Sequence, residues 1–479
     1  MSLKICLLTV ALSVVSASSF AFDAFSTQSG LPSTVASPLL GSGPVCQFGH
    51  ISAPLGLYEA ISRSLCTNPK TRSAWTDVLG AAAGVGASKA AYLPTLTFTA
   101  QRIGDHTLTR TPGFPEFSSG FDNNVDTDTL ALNWVLYDFG NREAALHNSK
   151  ALLVAAEASQ NQALQTAFVN TAKDYYDAEA AQAKAEANVH LEAYAKDSLT
   201  AASERVDKGV APVTDKLQAQ TAYAQAVYNR VKAQGDYQGA LGAIAIDIDG
   251  SPDAPIALVD DEQGPLPDTR FVKTTHDLLD AAMRQHPAIL AAKAQWEAAQ
   301  AKVDTVRDQG RPRISLIGQS SRNDQPASIS LGQPELSAHN RDNYLGVKIE
   351  VPLFEGFGRD YQIKQAQAQA DAQAESLHDA EHQVAIAVWS SYQTLQSDTE
   401  NLNNTDTILQ SARDAFAAAQ HRYQSGVGNI LELLSAQNTL ATAEQQRIQA
   451  QSDWRTARLQ LAASLGQAGM WALRPDGGH

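Results

Sequence analysis

The sequence predicts an α+β protein built from two tandem copies of one helix–strand–strand–helix–helix unit. The segments RVDKGVAPVTDKLQAQ (205–220) and RYQSGVGNILELLSAQ (422–437) match at a constant offset, since 426 − 209 = 217 and 434 − 217 = 217. Each copy also has stretches that alternate apolar and polar residues, which is the period of a strand with one apolar face. Between Asn141 and Lys208 no Pro or Gly interrupts the chain, which favours one long helix.

The N-terminal residues 1–21 have the pattern of a secretory signal peptide. Lys4 precedes an apolar run over 5–15, and small residues lead to a cleavage position after Ala21. A membrane anchor is the less favoured alternative, because the run is shorter than the roughly 20 residues that span a bilayer. Residues 22–56 are then expected to form an N-terminal extension. No later apolar run approaches that length, so a membrane crossing by this chain would use strands.

Cys46 and Cys66 are the two cysteines that follow the predicted signal peptide. An even pair in an exported protein favours a disulfide, although two separate reduced thiols are the alternative. The bond would close a loop of 66 − 46 = 20 residues. In the chain-entropy treatment a loop of that size stabilises the fold by about 3 kcal/mol.

Each repeat begins with a helix, and a strand, a polar loop and a second strand follow. The first repeat is predicted over 57–246 and the second over 276–466. The first helices are predicted over 57–91 and 276–309. The loops between the two strands are predicted over 103–128 and 318–342. An acidic segment rich in Pro and Gly, 247–275, is interpreted as a linker between the repeats, and 467–479 as a C-terminal tail.

The second strand of each repeat alternates cleanly between apolar and more polar residues. The apolar positions are Leu130, Leu132, Trp134 and Leu136 in one repeat, and Leu345, Val347, Ile349 and Val351 in the other. Such a pattern fits a strand between lipid and water, and a half-buried sheet in a water-soluble protein gives the same alternation. Four strands are too few to close a membrane barrel, so several copies would have to assemble if these strands cross a membrane.

A long helix and a shorter returning helix complete each repeat. The long helices are predicted over 141–208 and 358–425, and at 1.5 Å per residue each would extend roughly 100 Å. Gly209 and Gly426 follow them, and glycine commonly ends a helix in the left-handed conformation. The returning helices are predicted over 213–246 and 430–465. Residues recurring every seven positions, Leu217, Ala224 and Val231, and Leu434, Ala441 and Ile448, predict packing against the outgoing helix.

The tripeptide Asp138-Phe139-Gly140 is shared with protein kinases, where it holds magnesium. The Gly-rich loop, strand lysine and catalytic segment of a kinase are missing from the sequence in that order, and no metalloprotease, phosphate-loop or nucleophile-elbow motif is found. The eleven histidines are scattered singly. A net charge of −15 without a basic cluster disfavours nucleic acid as a partner. The sequence therefore disfavours an enzyme and implies no cofactor or metal.

The combined motifs resemble the TolC family of outer-membrane export ducts over about residues 50–466. The segments that carry the resemblance are YLPTL, WVLYDFG, VPLFEGFGR and the two G-V…L-x-A-Q turns. The N-terminal segment PVCQFGHISAPLGLYEAISRSLC is similar to the CyaE-like branch, which is associated with type I protein secretion. Small-molecule efflux is one alternative function, and a periplasmic coiled-coil scaffold without a pore is another.

The resemblance implies a homotrimer in the outer membrane of a Gram-negative bacterium. Four strands from each chain would form an outer-membrane β-barrel in contact with lipid, continuous with a long periplasmic α-helical barrel. It also implies a periplasmic adaptor protein and an inner-membrane transporter, either an ABC or a proton-driven one, as partners.

The resemblance further implies a periplasmic gate where the long helices turn back. The candidate gate residues are Asp215, Tyr423 and Glu432, and each acid follows its turn glycine by six residues, since 215 − 209 = 6 and 432 − 426 = 6. The alternative is that an acid near a helix start only complements the helix dipole, worth about 0.3–1 kcal/mol. Gly428 and Ser435 stand where relatives carry an Arg and an acid, so the expected salt bridge between turns is in question.

The segment LYDFGNR (136–142) corresponds to LFEGFGRD (353–360), read with one inserted residue before the second Phe-Gly. Asp138 and Glu355 are acids near a helix start, which the helix dipole favours. Gly140 and Gly358 are expected to let the chain bend from strand into helix. The kinase-like tripeptide is thus interpreted as a strand–helix junction.

Overall fold

The computed structural model describes residues 23–40, 46–49, 54–253, 256–259, 275–326 and 337–469. The predicted signal peptide, most of the linker and most of the C-terminal tail lie outside these residues. Among the helices that are described, none is long and apolar enough to cross a membrane. The chain divides into two compact units, unit 1 with residues 1–30, 79–153 and 294–374, and unit 2 with residues 31–78, 154–293 and 375–479.

Unit 1 contains one antiparallel sheet of four strands in the order β1-β2-β3-β4. The strands are β1 (Thr95–Thr109), β2 (Ser119–Tyr137), β3 (Arg313–Pro326) and β4 (Ser337–Glu350). They are longer than predicted, because most of 103–128 and 318–342 is strand rather than loop. The polar composition of these stretches misled the prediction, since backbone pairing in a ladder does not depend on apolar side chains.

The two faces of the sheet differ in polarity, as the alternation predicts. Register places Phe98 opposite Leu130 and Gly318 opposite Leu345 on the same face. Phe98 and Leu345 are 65% and 71% exposed in the single chain. Further along this face the apolar residues give way to ion pairs, such as Arg102 with Asp128 at 2.9 Å. The face therefore has an apolar band with a charged border.

The helices are α1 (Ser37–Leu40), α2 (Leu57–Thr67), α3 (Pro69–Ala90), α4 (Asn141–Asp207), α5 (Val213–Asp247), α6 (Thr275–Gln285), α7 (Pro287–Asp308), α8 (Gly358–Gln424) and α9 (Ile430–Ser464). The long helices α4 and α8 have 67 residues each and agree with the predicted ranges to within one residue. The returning helices α5 and α9 agree equally well. α4 and α9 contain no Pro or Gly, whereas α5 contains Gly235, Gly239 and Gly242 and is still one helix. The bounds are therefore set by the breakers at the helix ends.

The predicted first helix of each repeat is in fact two helices, and a proline begins the second in both cases. Pro69 and Pro287 lack the amide proton that a continuing helix needs, and their rings clash with the preceding turn. The residue before each proline caps the new helix. The Asn68 side chain accepts from the Lys70 amide at 2.9 Å, and His286 Nδ1 accepts from the Ala288 amide at 3.2 Å.

The part of the N-terminal extension that follows Gly30 belongs to unit 2. Cys46 and Cys66 are joined by a disulfide with Cα atoms 5.4 Å apart, which is the pair that the sequence suggested. Leu55 pairs with Leu258 of the linker in a short parallel bridge, and the Tyr175 hydroxyl donates to the Leu55 carbonyl at 3.0 Å. Together these contacts cover an apolar cluster that includes Phe168 of α4.

The predicted heptad seam of α5 is wrong for a single chain. Leu217 and Val231 are 56% and 55% exposed, and the buried residue of α5 near its start is Ala219. In α9 the buried residues include Leu433 and Leu440, each one residue before a predicted seam position, and the predicted Leu434 and Ala441 are partly buried. Near the start of α5 the buried residue is an alanine, which does not stand out in an alanine-rich helix.

Candidate functional site

Two regions contain the residues that the sequence singled out. The first, in unit 2, is the helical-turn region, residues 205–215 and 422–432. The second, in unit 1, comprises the strand–helix junctions, residues 135–142 and 351–359.

Both helical turns have the same backbone design. Gly209 and Gly426 have φ angles of +72° and +82°, the left-handed conformation that the sequence predicts. The Val210 amide donates to the Arg205 carbonyl at 2.9 Å, and the Val427 amide donates to the Arg422 carbonyl at 3.1 Å. These bonds satisfy carbonyls that would otherwise be left at the helix ends. The chain therefore turns back within a few residues at each site.

The two acids lie in the first turns of the returning helices, as predicted. Asp215 follows the start of α5, and Glu432 follows the start of α9, where the Asn429 side chain accepts from the Leu431 amide. The Glu432 carboxylate also has a partner in its own chain, since its Oε1 lies 3.2 Å from Nε of Arg422. Both side chains of this pair are about half exposed, so the pair is screened by water.

Tyr423 is buried rather than exposed at the turn. Its side chain is 1% exposed, and its hydroxyl has no hydrogen-bond partner among the described residues. The Arg205 guanidinium carbon lies 4.7 Å from the ring centroid, and Arg205 Nη1 donates to the Tyr423 carbonyl at 2.6 Å. Burial raises the pKa of the Tyr423 hydroxyl, and the nearby Asp215 carboxylate adds to this rise. The structure thus brings Arg205, Asp215 and Tyr423 together.

Gly428 is held close to the end of α8. Its amide donates to the Arg422 carbonyl at 2.9 Å. A Cβ atom at residue 428 would lie 2.7 Å from the Tyr423 nitrogen and 2.8 Å from the Arg422 carbonyl carbon, which are backbone atoms. Only glycine fits this turn without a backbone shift. Ser435 lies exposed on α9, one turn beyond Glu432.

Arg142 is the centre of the first strand–helix junction. Asp138 Oδ2 accepts from the Arg142 amide at 3.1 Å and from its Nε at 2.9 Å, and both side chains are largely buried. Arg142 Nη1 also donates to the Val135 carbonyl at 2.7 Å, and the guanidinium stacks on Tyr92. Asp138 therefore caps the helix and holds the arginine that joins the end of β2 to the start of α4.

The second junction repeats the first through Glu355 and Arg359. Two hydrogen bonds of 2.9 Å join them, and these bonds lower the pKa of Glu355. The spacing is the same as in the first repeat, since 355 − 138 = 217 and 359 − 142 = 217. Sequence reasoning missed both arginines, although this constant offset was available to find them.

The glycines of the junctions are not equivalent, and the predicted inserted residue is wrong. Phe139 and Gly140 have positive φ angles in the first junction, and Gly356 and Phe357 have them in the second. Gly140 therefore corresponds to Phe357, while Gly358 begins α8 just as Asn141 begins α4. Matching the two Phe-Gly pairs by letter shifted the alignment by one residue.

Gly140 is needed because the first junction is crowded. A Cβ atom there would lie 3.0 Å from Asp308 Oδ2. Arg311 pairs with this aspartate at 3.0 Å and donates to the Phe139 carbonyl at 2.7 Å, so the end of α7 packs on the junction. Phe357 in the second junction is exposed and has room for its side chain.

Comparison with known proteins gives a match to the family model described as outer membrane efflux protein, over residues 60–245 and 278–467. Protein CyaE of Bordetella pertussis is 31% identical over 424 residues, covering 88% of this chain and 86% of that protein. Outer membrane protein TolC of Escherichia coli K12 is 22% identical, covering 90% and 86%. Among solved structures, the outer-membrane channel OprN has a similar fold, with a TM-score of 0.72 at 22% identity over 86% of this chain and 90% of that chain.

Proposed function

The chain belongs to the outer membrane efflux protein family, and from this premise we propose that it is the exit duct of a tripartite export system. It lies in the outer membrane of a Gram-negative bacterium and extends into the periplasm. Its partners are a periplasmic adaptor protein and an inner-membrane transporter of the ABC or proton-driven type. Type I protein secretion is the favoured system. The similarity to CyaE extends over most of both chains, and its 31% identity is higher than the 22% identity to TolC.

The observation that supports a membrane duct is a small sheet with two open edges. β1 and β4 each pair with one strand only among the described residues. In lipid, unpaired backbone groups cost several kcal/mol each, so the edges must pair with other copies. Two, three or four copies would supply 8, 12 or 16 strands, all of them even numbers within the range of bacterial barrels. We propose a homotrimer, the state that the family resemblance implies, in which β4 of one chain pairs with β1 of the next.

The polarity of the two faces fits this assembly. The face with Phe98 and Leu345 would contact lipid, and the charged border beyond it would lie at the level of the lipid head groups. The opposite face carries threonines and asparagines, such as Thr97, Thr99 and Asn133, and would line a water-filled channel.

The helical-turn region would narrow the channel at its periplasmic end. In a trimer, Asp215 and Glu432 are each repeated three times around the axis. Rings of carboxylates produce a negative potential that favours cations at a constriction. The proposed gate is therefore cation-selective, with Tyr423 packed behind it.

Recordings in planar lipid bilayers test this role. The double variant Asp215→Ala with Glu432→Ala should lose much of the cation preference, because both carboxylate rings are removed. A matched control is Asp197→Ala with Glu400→Ala, which removes the same charge from exposed positions of α4 and α8. Equal selectivity in the wild type and the first double variant would contradict the constriction role.

Small-molecule efflux is the second candidate, since the family model is itself described by efflux. The inner-membrane partner decides between the two. Neighbouring genes for a peptide-transporting ATPase and a large toxin-like protein would favour secretion. A neighbouring proton-driven pump would favour efflux.

A further inference from the structure

The ends of four helices meet in one apolar cluster beside the helical-turn region. Its buried members are Leu191 and Ala202 of α4, Ala219 of α5, Ala412, Phe416, Ala419 and Tyr423 of α8, and Ile430, Leu433, Leu440 and Ala443 of α9. Tyr423 and Ile430 are the members on either side of the second turn. The position of this turn against α4 therefore depends on how Tyr423 is held.

Arg205, on the last turn of α4, makes two contacts with Tyr423. Its Nη1 donates to the Tyr423 carbonyl, and its guanidinium lies over the tyrosine ring. A guanidinium is flat and carries its donors in its plane, so one group can stack and donate at the same time. The accepting carbonyl belongs to the C-terminal end of α8, where the helix dipole favours a cation. One side chain thus connects the ends of the two long helices.

The second turn cannot supply such a cation at residue 428. The Cβ atom of any other residue would meet the backbone of Tyr423 and Arg422 within 2.8 Å. Arg422 in the same turn already pairs with Glu432. The residue that ties the two turns together therefore comes from the first turn.

We propose that Arg205 is the positioning residue that keeps the gate closed, in place of an arginine in the second turn. It holds Tyr423 against α4 and thereby fixes the turn that carries Glu432. Without it, the contacts between Arg205 and Tyr423 are lost and the second turn is free to move. This inference rests on the proposed duct function, because a closed state requires a channel.

The test uses the full-length protein reconstituted in planar lipid bilayers. Arg205→Met keeps most of the side-chain volume and removes both contacts. We expect the ratio of open to closed channels to rise roughly tenfold, as loss of a stacked cation and a charged hydrogen bond implies. Heat-resistant oligomers should persist, because the apolar cluster is unchanged. Lys208→Met is the matched control, since it removes the same charge three residues later, where the lysine lies 3.7 Å from Glu204.

Two further variants separate the contact from general loss of structure. Arg205→Lys retains the charge and a hydrogen-bond donor but not the planar guanidinium. Its ratio of open to closed channels should therefore lie between those of the wild type and Arg205→Met. Gly428→Ala should open the channel as well, because its methyl group displaces the Tyr423 backbone. Its control is Gly235→Ala, where the added Cβ has no neighbour within 4 Å. Gly428→Ala tests the proposal even if Arg205→Met fails to assemble.

The outcomes distinguish the proposed role of Arg205 from the proposed duct function. Wild-type conductance in both Arg205→Met and Gly428→Ala would overturn the role of Arg205 and leave the duct function standing. Equal opening by Lys208→Met would also overturn it, since charge rather than contact would then matter. A wild-type protein that forms no channels would overturn the proposed function itself.

Discussion

Two arginines, Arg142 and Arg359, hold the points where strands become helices. Each is bound by an acid four residues earlier, and the first also donates to carbonyls at the end of β2. The acids were predicted as partners of the helix dipole alone. Their closer role is to orient an arginine, because a planar guanidinium can bond a carboxylate and backbone carbonyls together.

Gly140→Val should impair assembly. Gly140 has a φ angle of +106°, and a Cβ atom added there would lie 3.0 Å from Asp308 Oδ2. A β-branched residue in this conformation costs about 1–3 kcal/mol, before the clash is counted. Thermal unfolding and the yield of heat-resistant oligomers measure the effect. Gly358→Val is the matched control, since its Cβ has no close neighbour. Equal behaviour of the two variants would refute the crowding argument.

Asp247→Asn should change the pH dependence of stability. Burial, and then the neighbouring Asp174 carboxylate, raises the pKa of Asp247 to about 6 from 3.8. The folded state therefore binds the proton more tightly, and the stability that this provides at low pH is lost as the pH rises from about 4 through about 6. At pH 8 the variant should be more stable by about 1 kcal/mol, after allowance for solvent screening.

Thermal unfolding in detergent across this pH range is the measurement. The advantage of Asp247→Asn should disappear towards pH 4. Asp249→Asn, at an exposed position two residues later, should follow the wild-type profile. A difference between wild type and Asp247→Asn that is constant with pH would rule out this titration as its cause.

Among the elements, helices were easier to predict than strands. α4 and α8 are bounded by glycines, and their interiors contain only helix-compatible residues. The strands were predicted where apolar residues alternate, and their polar outer parts were taken for loops. Ladder hydrogen bonds extend β1 to Thr109 and begin β2 at Ser119, and no local pattern reveals this pairing.

The two faces of β4 should respond differently to a charge. Leu345→Arg introduces a charge on the face proposed to contact lipid, at a cost of about 2–4 kcal/mol near the bilayer centre. Tyr344→Arg places the same charge on the opposite face, towards water, and should be tolerated. The yield of heat-resistant oligomers extracted from the outer membrane measures both. Similar yields would contradict the assigned orientation of the sheet.

The whole molecule is expected to be an assembly, because its parts are incomplete in one chain. The sheet has two open edges, and the residues Leu217 and Val231 of α5 are exposed although apolar. A second chain that packs on these residues would bury them. The heptad pattern of α5 would then mark packing between chains rather than within one chain.

Detergent extraction followed by mass measurement tests this expectation. The protein should leave the membrane fraction only with detergent, as a particle of three chains. Closure of the sheet requires further copies of the chain, and the proposed trimer would have 12 strands. A water-soluble monomer in the periplasmic fraction would contradict the channel and favour a scaffold.

The sequence by itself determined the duplication, the length of the long helices, the glycine turns and the family. These properties depend on local breakers, on periodicity and on letters repeated at one offset, and all of them can be read along the chain. The tertiary structure decided which side chains meet. Arg205 and Tyr423 are separated by 218 positions, and Gly428 is required because backbone atoms approach it through space. Such contacts depend on how the helices pack, which no local pattern encodes.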